Sequence, residues 1–268
     1  MLMMVNQQAR RIMLTFIHIS DTHIHPQDSY SQPYAEGSPT AGARKLVAAL
    51  NALPFPIDFV LHTGDVAYDP VPDAYHTCVE ILSEIKYPVY YAAGNHDDSS
   101  ALQSIVMKQD PLPQLHHTFE VNGVQIAIVD SNGGATPPAG YMTESQLTWL
   151  SSICAADDRR PLVIATHHNP QTGFTPWLDD FMGIQNTDAF HQAILPARHR
   201  LRGVFFGHVH QNLDMYKDGI LYASTLSSWS QFMSYPGMDE TQKDAGAYPG
   251  FSLVHITQDQ TFIRRYRF

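Results

Sequence analysis

The chain has 268 residues, 44% of them hydrophobic, which is enough for one large domain with a well-buried core. Its formal net charge of −10 opposes the broad positive surface that a DNA or RNA backbone requires. A small phosphorylated ligand stays compatible with this charge, because bound cations can reverse the local field. No stretch has the length needed to span a bilayer, and nothing points to an oxidising compartment for Cys78 and Cys154. We therefore expect a cytoplasmic protein that binds neither polynucleotide nor membrane.

The hydrophobic pattern predicts strands that alternate with helices. The predicted strands cover 13–19, 57–62, 88–92, 124–130, 161–165, 203–206, 220–223, 251–256 and 262–266. Helices are predicted at 42–53, 72–85 and 190–195, and a further helix opens at Thr143, which forms a capping box with Gln146. Alternation of this kind favours a layered α/β fold.

We expect residues 1–268 to form a single domain whose first twelve residues are irregular. Two further segments, 170–187 and 227–249, have little regular pattern and are rich in aromatic residues, Gly and Pro. Irregular segments of that length inside a compact domain are usually functional or disordered, so we predict them to be substrate-side loops. Their aromatic side chains are candidates for stacking on a base or lining a pocket: Trp177, Phe181, Trp229, Phe232 and Tyr235.

Five short segments carry side chains that bind metals, and most of them follow a predicted strand. They are Asp21-Thr22-His23, Gly64-Asp65, Gly94-Asn95-His96-Asp97, Thr166-His167-His168 and Gly207-His208-Val209-His210. Ligands in open α/β sheets gather beyond the carboxyl ends of the strands. Carboxylate, imidazole and carboxamide without thiolate suit Mn, Fe, Zn or Co, and a pair of such metals can activate water and hold a phosphoryl group.

Each segment alone has an ordinary structural interpretation. Asp21-Thr22-His23 and Gly64-Asp65 are also typical of turns, and Gly94-Asn95-His96-Asp97 is compatible with a capped turn. The paired imidazoles of His208 and His210 at a strand end favour a metal site more strongly. Most of the other histidines, His62 and His191 among them, are predicted to be surface groups or satisfied core groups.

Together, in this order, the five segments resemble the calcineurin-like metallophosphoesterase superfamily. Within it, the Ser-Asp-Thr-His opening, the Gly-Asn-His-Asp-Asp run and the His-His pair are most similar to class III cyclic nucleotide phosphodiesterases and glycerophosphodiesterases. The resemblance runs from residue 13 to residue 256. It implies a four-layer α/β/β/α sandwich, in which two facing mixed β-sheets are flanked by helices and a dimetal site lies at the carboxyl ends of the strands.

The resemblance also implies roles for individual residues. One metal would be held by Asp21, His23 and His210, the second by Asn95, His167 and His208, with Asp65 bridging both. His167 is assigned as the ligand because the family uses the first histidine of such a pair. His96 would face the substrate, together with Asp65 and Asn95 in the catalytic set, and would protonate the leaving group or stabilise the transition state. Four further residues are assigned behind the ligands or beside the substrate: His168, Asp69, Tyr68 and His25.

One position departs from the family pattern. Many members carry Asp or Asn three residues after the bridging Asp, where it orients the histidine that corresponds to His96. This chain has Tyr68 there, and the next carboxylate is Asp69. The orienting partner of His96 is therefore left open by the sequence.

The implied reaction is hydrolysis of a small phosphodiester, of cyclic nucleotide or glycerophosphodiester type, by a hydroxide that bridges two divalent metal ions (Mn, Fe, Zn or Co). Two divalent cations, two carboxylates and a hydroxide leave a charge of about +1, which a diester monoanion neutralises. Two alternatives remain: a phosphomonoesterase or nucleotidase, and a metal-free binding scaffold. The natural substrate, the metal identity and a possible homo-oligomer are not decided by the sequence.

Overall fold

The computed structural model describes residues 11–33, 35 and 37–268. The prediction of an irregular start falls mostly on residues 1–10, which lie outside the described residues. The first sheet has five strands in the order β13-β12-β1-β2-β3. They are β1 (Leu14–Ile19), β2 (Phe59–His62), β3 (Val89–Tyr91), β12 (Gly250–Ile256) and β13 (Thr261–Arg267). β1, β2 and β3 run parallel, whereas β12 is antiparallel to both of its neighbours, so the sheet is mixed.

The second sheet has six strands in the order β4-β5-β6-β7-β9-β8. They are β4 (His116–Val121), β5 (Val124–Val129), β6 (Leu162–Ala165), β7 (Leu201–Phe206), β8 (Asp214–Lys217) and β9 (Ile220–Ser224). The four central strands are parallel and the two outer strands are antiparallel. A separate ribbon pairs β10 (Phe232–Met233) with β11 (Gln242–Lys243).

Helices cover the outer faces of the two sheets. The α-helices are α1 (Pro39–Asn51), α2 (Pro72–Leu82), α3 (Ser99–Ala101), α4 (Glu144–Cys154) and α5 (Thr187–Ile194). The described residues also form two π-helices (Leu102–Val106 and Trp177–Met182) and a 3₁₀-helix (Leu195–Ala197). Among the described residues, none of these helices combines the length and hydrophobicity that crossing a membrane takes.

Three apolar layers confirm the predicted four-layer α/β/β/α sandwich. Between the sheets, Phe16 stacks on Phe59 at 5.1 Å and meets Phe205 edge-on at 5.2 Å. The next residue of β1, Ile17, points the opposite way and packs against α1 and α2. On the far side of the second sheet, a separate buried cluster joins β6 and β7 to α4 and α5 through residues such as Phe190.

The predicted elements are found with shifts of a few residues at their ends. The capping box is confirmed: the Thr143 hydroxyl accepts from the Gln146 amide, and the Gln146 side chain accepts from the Thr143 amide. α1 begins at Pro39, earlier than predicted, because the side chain of Ser38 caps it. The sequence analysis missed β4 and β8, whose half-exposed sequences His-His-Thr-Phe-Glu-Val and Asp-Met-Tyr-Lys lack a continuous apolar run.

Candidate metal centre

All five predicted segments converge at one edge of the sandwich. Three of them follow β1, β2 and β3 of the first sheet, and two follow β6 and β7 of the second. The strands within each set are parallel, so their carboxyl ends meet at the same edge. Both sheets therefore contribute donors to one buried cluster, which is the arrangement that the sequence predicted.

The first group of donor atoms surrounds Nε2 of His23. This nitrogen lies 3.1 Å from Nε2 of His210, 3.5 Å from Oδ2 of Asp65 and 3.9 Å from Oδ1 of Asp21. Nε2 of His210 lies 3.4 Å from the same oxygen of Asp21. Four side chains from three separate loops thus direct donor atoms at a common point.

The second group surrounds Nε2 of His167. It lies 3.1 Å from Oδ1 of Asn95, 3.2 Å from Nδ1 of His208 and 3.4 Å from Oδ1 of Asp65. Asp65 therefore directs one carboxylate oxygen at each group. The structure brings together the seven side chains that the resemblance implied as metal ligands.

Hydrogen bonds behind the two groups direct two Nε2 atoms at the other ligand atoms. Nδ1 of His210 donates to the carbonyl oxygen of Ser230 at 2.7 Å, and Nδ1 of His167 donates to that of Thr63 at 2.7 Å. When these rings are neutral, Nε2 carries a lone pair and can bind a metal. The side-chain oxygens beside them are acceptors as well, so a cation between them would satisfy the cluster.

The spacing of these atoms also suits a metal. Bonds of roughly 2.0–2.2 Å to a divalent ion separate neighbouring ligand atoms by about 2.8–3.1 Å in octahedral and about 3.3–3.6 Å in tetrahedral geometry. Six of the seven distances given above lie between 3.1 and 3.5 Å, and the seventh, from Nε2 of His23 to Oδ1 of Asp21, is 3.9 Å. The donor set therefore fits two divalent metal ions.

The charges in the cluster also favour a bound metal. Burial opposes ionisation of Asp21 and Asp65, but the surrounding histidines hold the pKa of both carboxyls below the usual value. Burial also acts to lower the pKa of His167, yet the carboxylates of Asp65 and Asp21 raise it to about 9. Burial and the neighbouring His167 lower the pKa of His208 to about 3. A proton on His167 thus partly balances the carboxylates, and a metal would displace it.

The main chain of the ligand residues is strained. Five of them have a positive φ: Asp21 (55°), His23 (46°), Asp65 (52°), His208 (70°) and His210 (47°). Residues other than glycine rarely adopt this left-handed conformation, and such strain is concentrated at functional sites. At Gly94 the packing is so close that a Cβ atom would lie 2.1 Å from Oδ1 of Asp65.

Asp97 joins two of the ligand loops, a role that the sequence analysis missed. Its Oδ2 accepts from the amides of Gly94 at 2.9 Å and Val66 at 3.1 Å, and its Oδ1 accepts from that of Ala67 at 3.1 Å. These bonds hold the loop after β3 against the loop that carries Asp65. The signal was available, since Asp97 belongs to the Gly-Asn-His-Asp segment.

His96 is oriented by a main-chain group. Its Nδ1 lies 2.7 Å from the carbonyl oxygen of Tyr68 and must be the donor, because a carbonyl only accepts. Its amide donates to Oδ1 of Asp65 at 2.9 Å. The ring then presents its Nε2 edge to the cavity. Residue 68 therefore supplies the orienting partner through its backbone, whatever its side chain.

The remaining predicted residues lie outside the donor cluster. His168 is buried behind the ligands, where its Nδ1 is 2.6 Å from the Ser131 hydroxyl and its ring is 4.6 Å from that of His208. His25 stacks on Tyr30, and its Nε2 is 4.0 Å from the half-exposed Asp69. Neither His25 nor Asp69 borders the cavity, so the structure does not bring them to the ligands.

A cavity of 130 Å³ opens over the donor cluster. Its walls include Tyr68, Pro138, Met182, Trp229, Ser230 and Phe232 in addition to His96 and five of the seven implied ligands. Of the loop aromatics singled out in the sequence, Trp229 and Phe232 are in this wall, whereas Trp177 is in the core and Phe181 and Tyr235 are exposed. Larger cavities of 530 and 670 Å³ lie elsewhere on the sandwich and contain none of the donor residues, so the chemistry selects the smaller one.

Comparison with known proteins agrees with this geometry. The family model of the calcineurin-like phosphoesterases matches residues 14–212, so the chain belongs to that family. The fold is also that of a dimetal phosphatase from Danio rerio, with a TM-score of 0.65 and 13% identity over 94% of this chain and 99% of that one. The family and the donor cluster together define an enzyme that hydrolyses phosphoesters with a dimetal centre.

Among curated relatives, the chain is similar to named cyclic nucleotide phosphodiesterases. It is 28% identical to the 3′,5′-cyclic adenosine monophosphate phosphodiesterase CpdA of Pseudomonas aeruginosa, over 95% of this chain and 89% of the relative. It is 26% identical to a 3′,5′-cyclic-nucleotide phosphodiesterase of Nostoc, over 90% and 88%. The CpdA of Escherichia coli is 26% identical over 91% and 86%.

Proposed function

We propose that this protein is a metal-dependent phosphodiesterase that hydrolyses 3′,5′-cyclic nucleotides. The observation that carries the proposal is the cluster of seven metal-binding side chains, in which Nε2 of His167 is 3.1 Å from Oδ1 of Asn95 and 3.4 Å from Oδ1 of Asp65. Such a cluster is built for cations, and the relatives that match nearly the whole chain are named for cyclic nucleotides.

Each ligand has a defined place in this proposal. Asp21, His23 and His210 would hold one divalent metal, Asn95, His167 and His208 the other, and Asp65 would bridge the two. Metals at these positions supply an activated water and neutralise charge on the phosphoryl oxygens. Manganese, iron, zinc and cobalt all suit the oxygen and imidazole donors.

His96 is the protein group placed to assist the leaving oxygen. Hydrolysis adds the oxygen of water to phosphorus, breaks one ester P–O bond and leaves a proton on the departing sugar oxygen. With Nδ1 tied to the Tyr68 carbonyl, Nε2 of His96 is the atom directed into the cavity. Nε2 donates only when the ring is protonated, and although burial opposes protonation, the Asp65 carboxylate and the Tyr68 carbonyl raise the pKa of His96. The protonated ring would donate to the phosphoryl or leaving oxygen, which is where negative charge develops.

The cavity wall supports a diester over a monoester. Of the described residues that line it, none is Lys or Arg, and the wall opposite the ligands is aromatic or apolar. A phosphomonoester dianion lacks a side-chain cation here for its second charge, whereas a diester monoanion does not need one. The cavity is also too small for a whole nucleotide, so the base would extend to the rim at Met182, Trp229 and Phe232.

A substrate panel tests the proposal. Protein stripped of metal and reloaded with Mn²⁺ is assayed with 3′,5′-cyclic AMP, bis(p-nitrophenyl) phosphate and p-nitrophenyl phosphate, and its metal content is measured. We expect turnover of both diesters with a higher kcat/KM than for the monoester, and none after chelation. A preference for the monoester at the same metal content would contradict the proposed substrate class. The negative net charge favours a small substrate over a polynucleotide, and gel filtration on the same sample gives the oligomeric state.

A further inference from the structure

His62 is the last residue of β2 and is completely buried beneath two ligand loops. Its Nε2 lies 3.0 Å from the hydroxyl of Thr22, which stands between the two ligand positions Asp21 and His23. Its Nδ1 lies 3.3 Å from the amide of Gly64, which precedes Asp65. One ring thus contacts both the loop after β1 and the loop after β2.

The directions of these hydrogen bonds are fixed by their partners. The Thr22 hydroxyl has one proton and donates it to the carbonyl oxygen of Val66 at 3.0 Å, so it must accept from Nε2–H of His62. The Gly64 amide can only donate, so Nδ1 of His62 accepts. A single neutral tautomer satisfies both bonds. Burial keeps the ring neutral, since it lowers the pKa of His62 to about 4.

We propose that His62 is a positioning residue for the metal centre: it couples the two loops that carry Asp21, His23 and Asp65. The inference rests on the proposed function only in taking those three residues as metal ligands. All three have a left-handed main chain. The loops also meet through backbone bonds, among them Asp21 to Gly64 and His23 to Asp65 at 3.0 Å each, and through the Thr22 hydroxyl on the Val66 carbonyl. By donating to that hydroxyl, His62 adds a further side-chain restraint on this strained pair. The sequence analysis placed His62 among surface or satisfied core groups.

Metal affinity, measured without substrate, tests the inference. Replacing His62 with Leu leaves the Thr22 hydroxyl and the Gly64 amide without this partner, and we expect the Kd for Mn²⁺ in calorimetric titration to rise roughly 10- to 100-fold. His191→Leu is the matched control. His191 is equally buried and bonds the Tyr222 hydroxyl at 2.6 Å and Asp218 at 3.0 Å, but it lies away from the ligand loops. Its loss should lower stability and leave the Kd unchanged.

Two further variants separate the two bonds. His62→Gln can place an amide donor near the position of Nε2 and so retain the bond to Thr22, whereas His62→Asn can place an oxygen near Nδ1 and retain the bond to Gly64. Each should bind Mn²⁺ more tightly than His62→Leu and more weakly than the wild type. A merely structural role would shift the melting temperature of all three variants without this order of affinities.

A substitution at Thr22 tests the same coupling if the His62 variants fail to fold. Thr22→Val removes the hydroxyl and keeps the side-chain shape, so it should also weaken Mn²⁺ binding. Unchanged Mn²⁺ affinity in folded His62→Leu, or in folded Thr22→Val if the former does not fold, would overturn the coupling. A wild-type protein that binds Mn²⁺ but leaves cyclic nucleotides intact would contradict the proposed substrate and leave the affinity result valid.

Discussion

The carbonyl oxygen of Tyr68 lies 2.7 Å from Nδ1 of His96 and fixes the orientation of that ring. Because the contact is made by the main chain, Tyr68→Phe should leave kcat close to the wild-type value. His96→Gln should lower kcat by about 10²- to 10⁴-fold on a cyclic nucleotide, since a glutamine amide cannot transfer a proton to the leaving oxygen. Steady-state assays of both variants at saturating Mn²⁺ check this. A loss in Tyr68→Phe as large as that in His96→Gln would contradict main-chain orientation.

The effect of His96→Gln should also depend on the leaving group. A p-nitrophenolate ion departs without a proton, whereas a sugar alkoxide needs one. We therefore expect a smaller loss on bis(p-nitrophenyl) phosphate than on 3′,5′-cyclic AMP. Equal losses on the two substrates would mean that His96 stabilises the phosphoryl oxygens rather than protonating the leaving group.

Metal binding should stabilise the fold, because the unfolded chain does not assemble the donor cluster. At a free metal concentration of 100 Kd the gain is about 2.7 kcal/mol, so chelation should lower the melting temperature and added Mn²⁺ should restore it. Asp65→Asn should remove most of this response, since Asp65 contributes one oxygen to each donor group. Scanning calorimetry with and without Mn²⁺ measures it. A full metal response in Asp65→Asn would count against its bridging position.

Asp97 and Asp98 are adjacent but should respond differently to the same change. Asp97→Asn should cost about 1–3 kcal/mol in urea unfolding, because either amide orientation turns an NH₂ group toward a backbone donor now bonded to the carboxylate. Asp98 caps α3 by accepting from the Ala101 amide at 2.7 Å, and Asn caps equally well. Asp98→Asn should therefore be nearly neutral. Similar costs for the two variants would refute the loop-joining role of Asp97.

Gly94 should not tolerate a side chain. A Cβ atom there would lie 2.1 Å from Oδ1 and 2.3 Å from the amide nitrogen of Asp65, so Gly94→Ala must displace the proposed bridging ligand. We expect loss of bound metal and of turnover in a protein that still melts cooperatively. Gly246→Ala is the control, since the nearest atom to its Cβ would be 3.6 Å away. Normal metal content in Gly94→Ala would show that the loop yields more easily than the packing indicates.

The donor cluster could be predicted because it depends on the identity of its side chains and on their order along the chain. Asp21, Asp65 and Asn95 each follow a parallel strand of one sheet, and His167 and His208 follow parallel strands of the other. The strand ends predicted a shared edge, and the resemblance to the family implied that the five segments form one site there. The layered fold followed from the same apolar runs. Within each sheet the strands that precede these residues run parallel, so their carboxyl ends lie at the same edge.

The contacts that orient the site could not be predicted in the same way. Any residue at position 68 offers the same carbonyl group, so the sequence does not reveal the hydrogen-bond partner of His96. The sequence does not distinguish a buried histidine that only packs in the core from one, such as His62, that joins two loops. β8 was missed because its outward-facing charges resemble those of a loop, although its backbone pairs with β9 over four residues.

The left-handed main chain at Asp21, His23, Asp65, His208 and His210 has a consequence for protein engineering. Grafting the seven side chains onto the regular strands of another scaffold would aim them wrongly, because extended backbone does not direct them at a shared point. A successful graft would have to transfer the turns, their closely packed glycines and the hydrogen bonds between the turns as one unit.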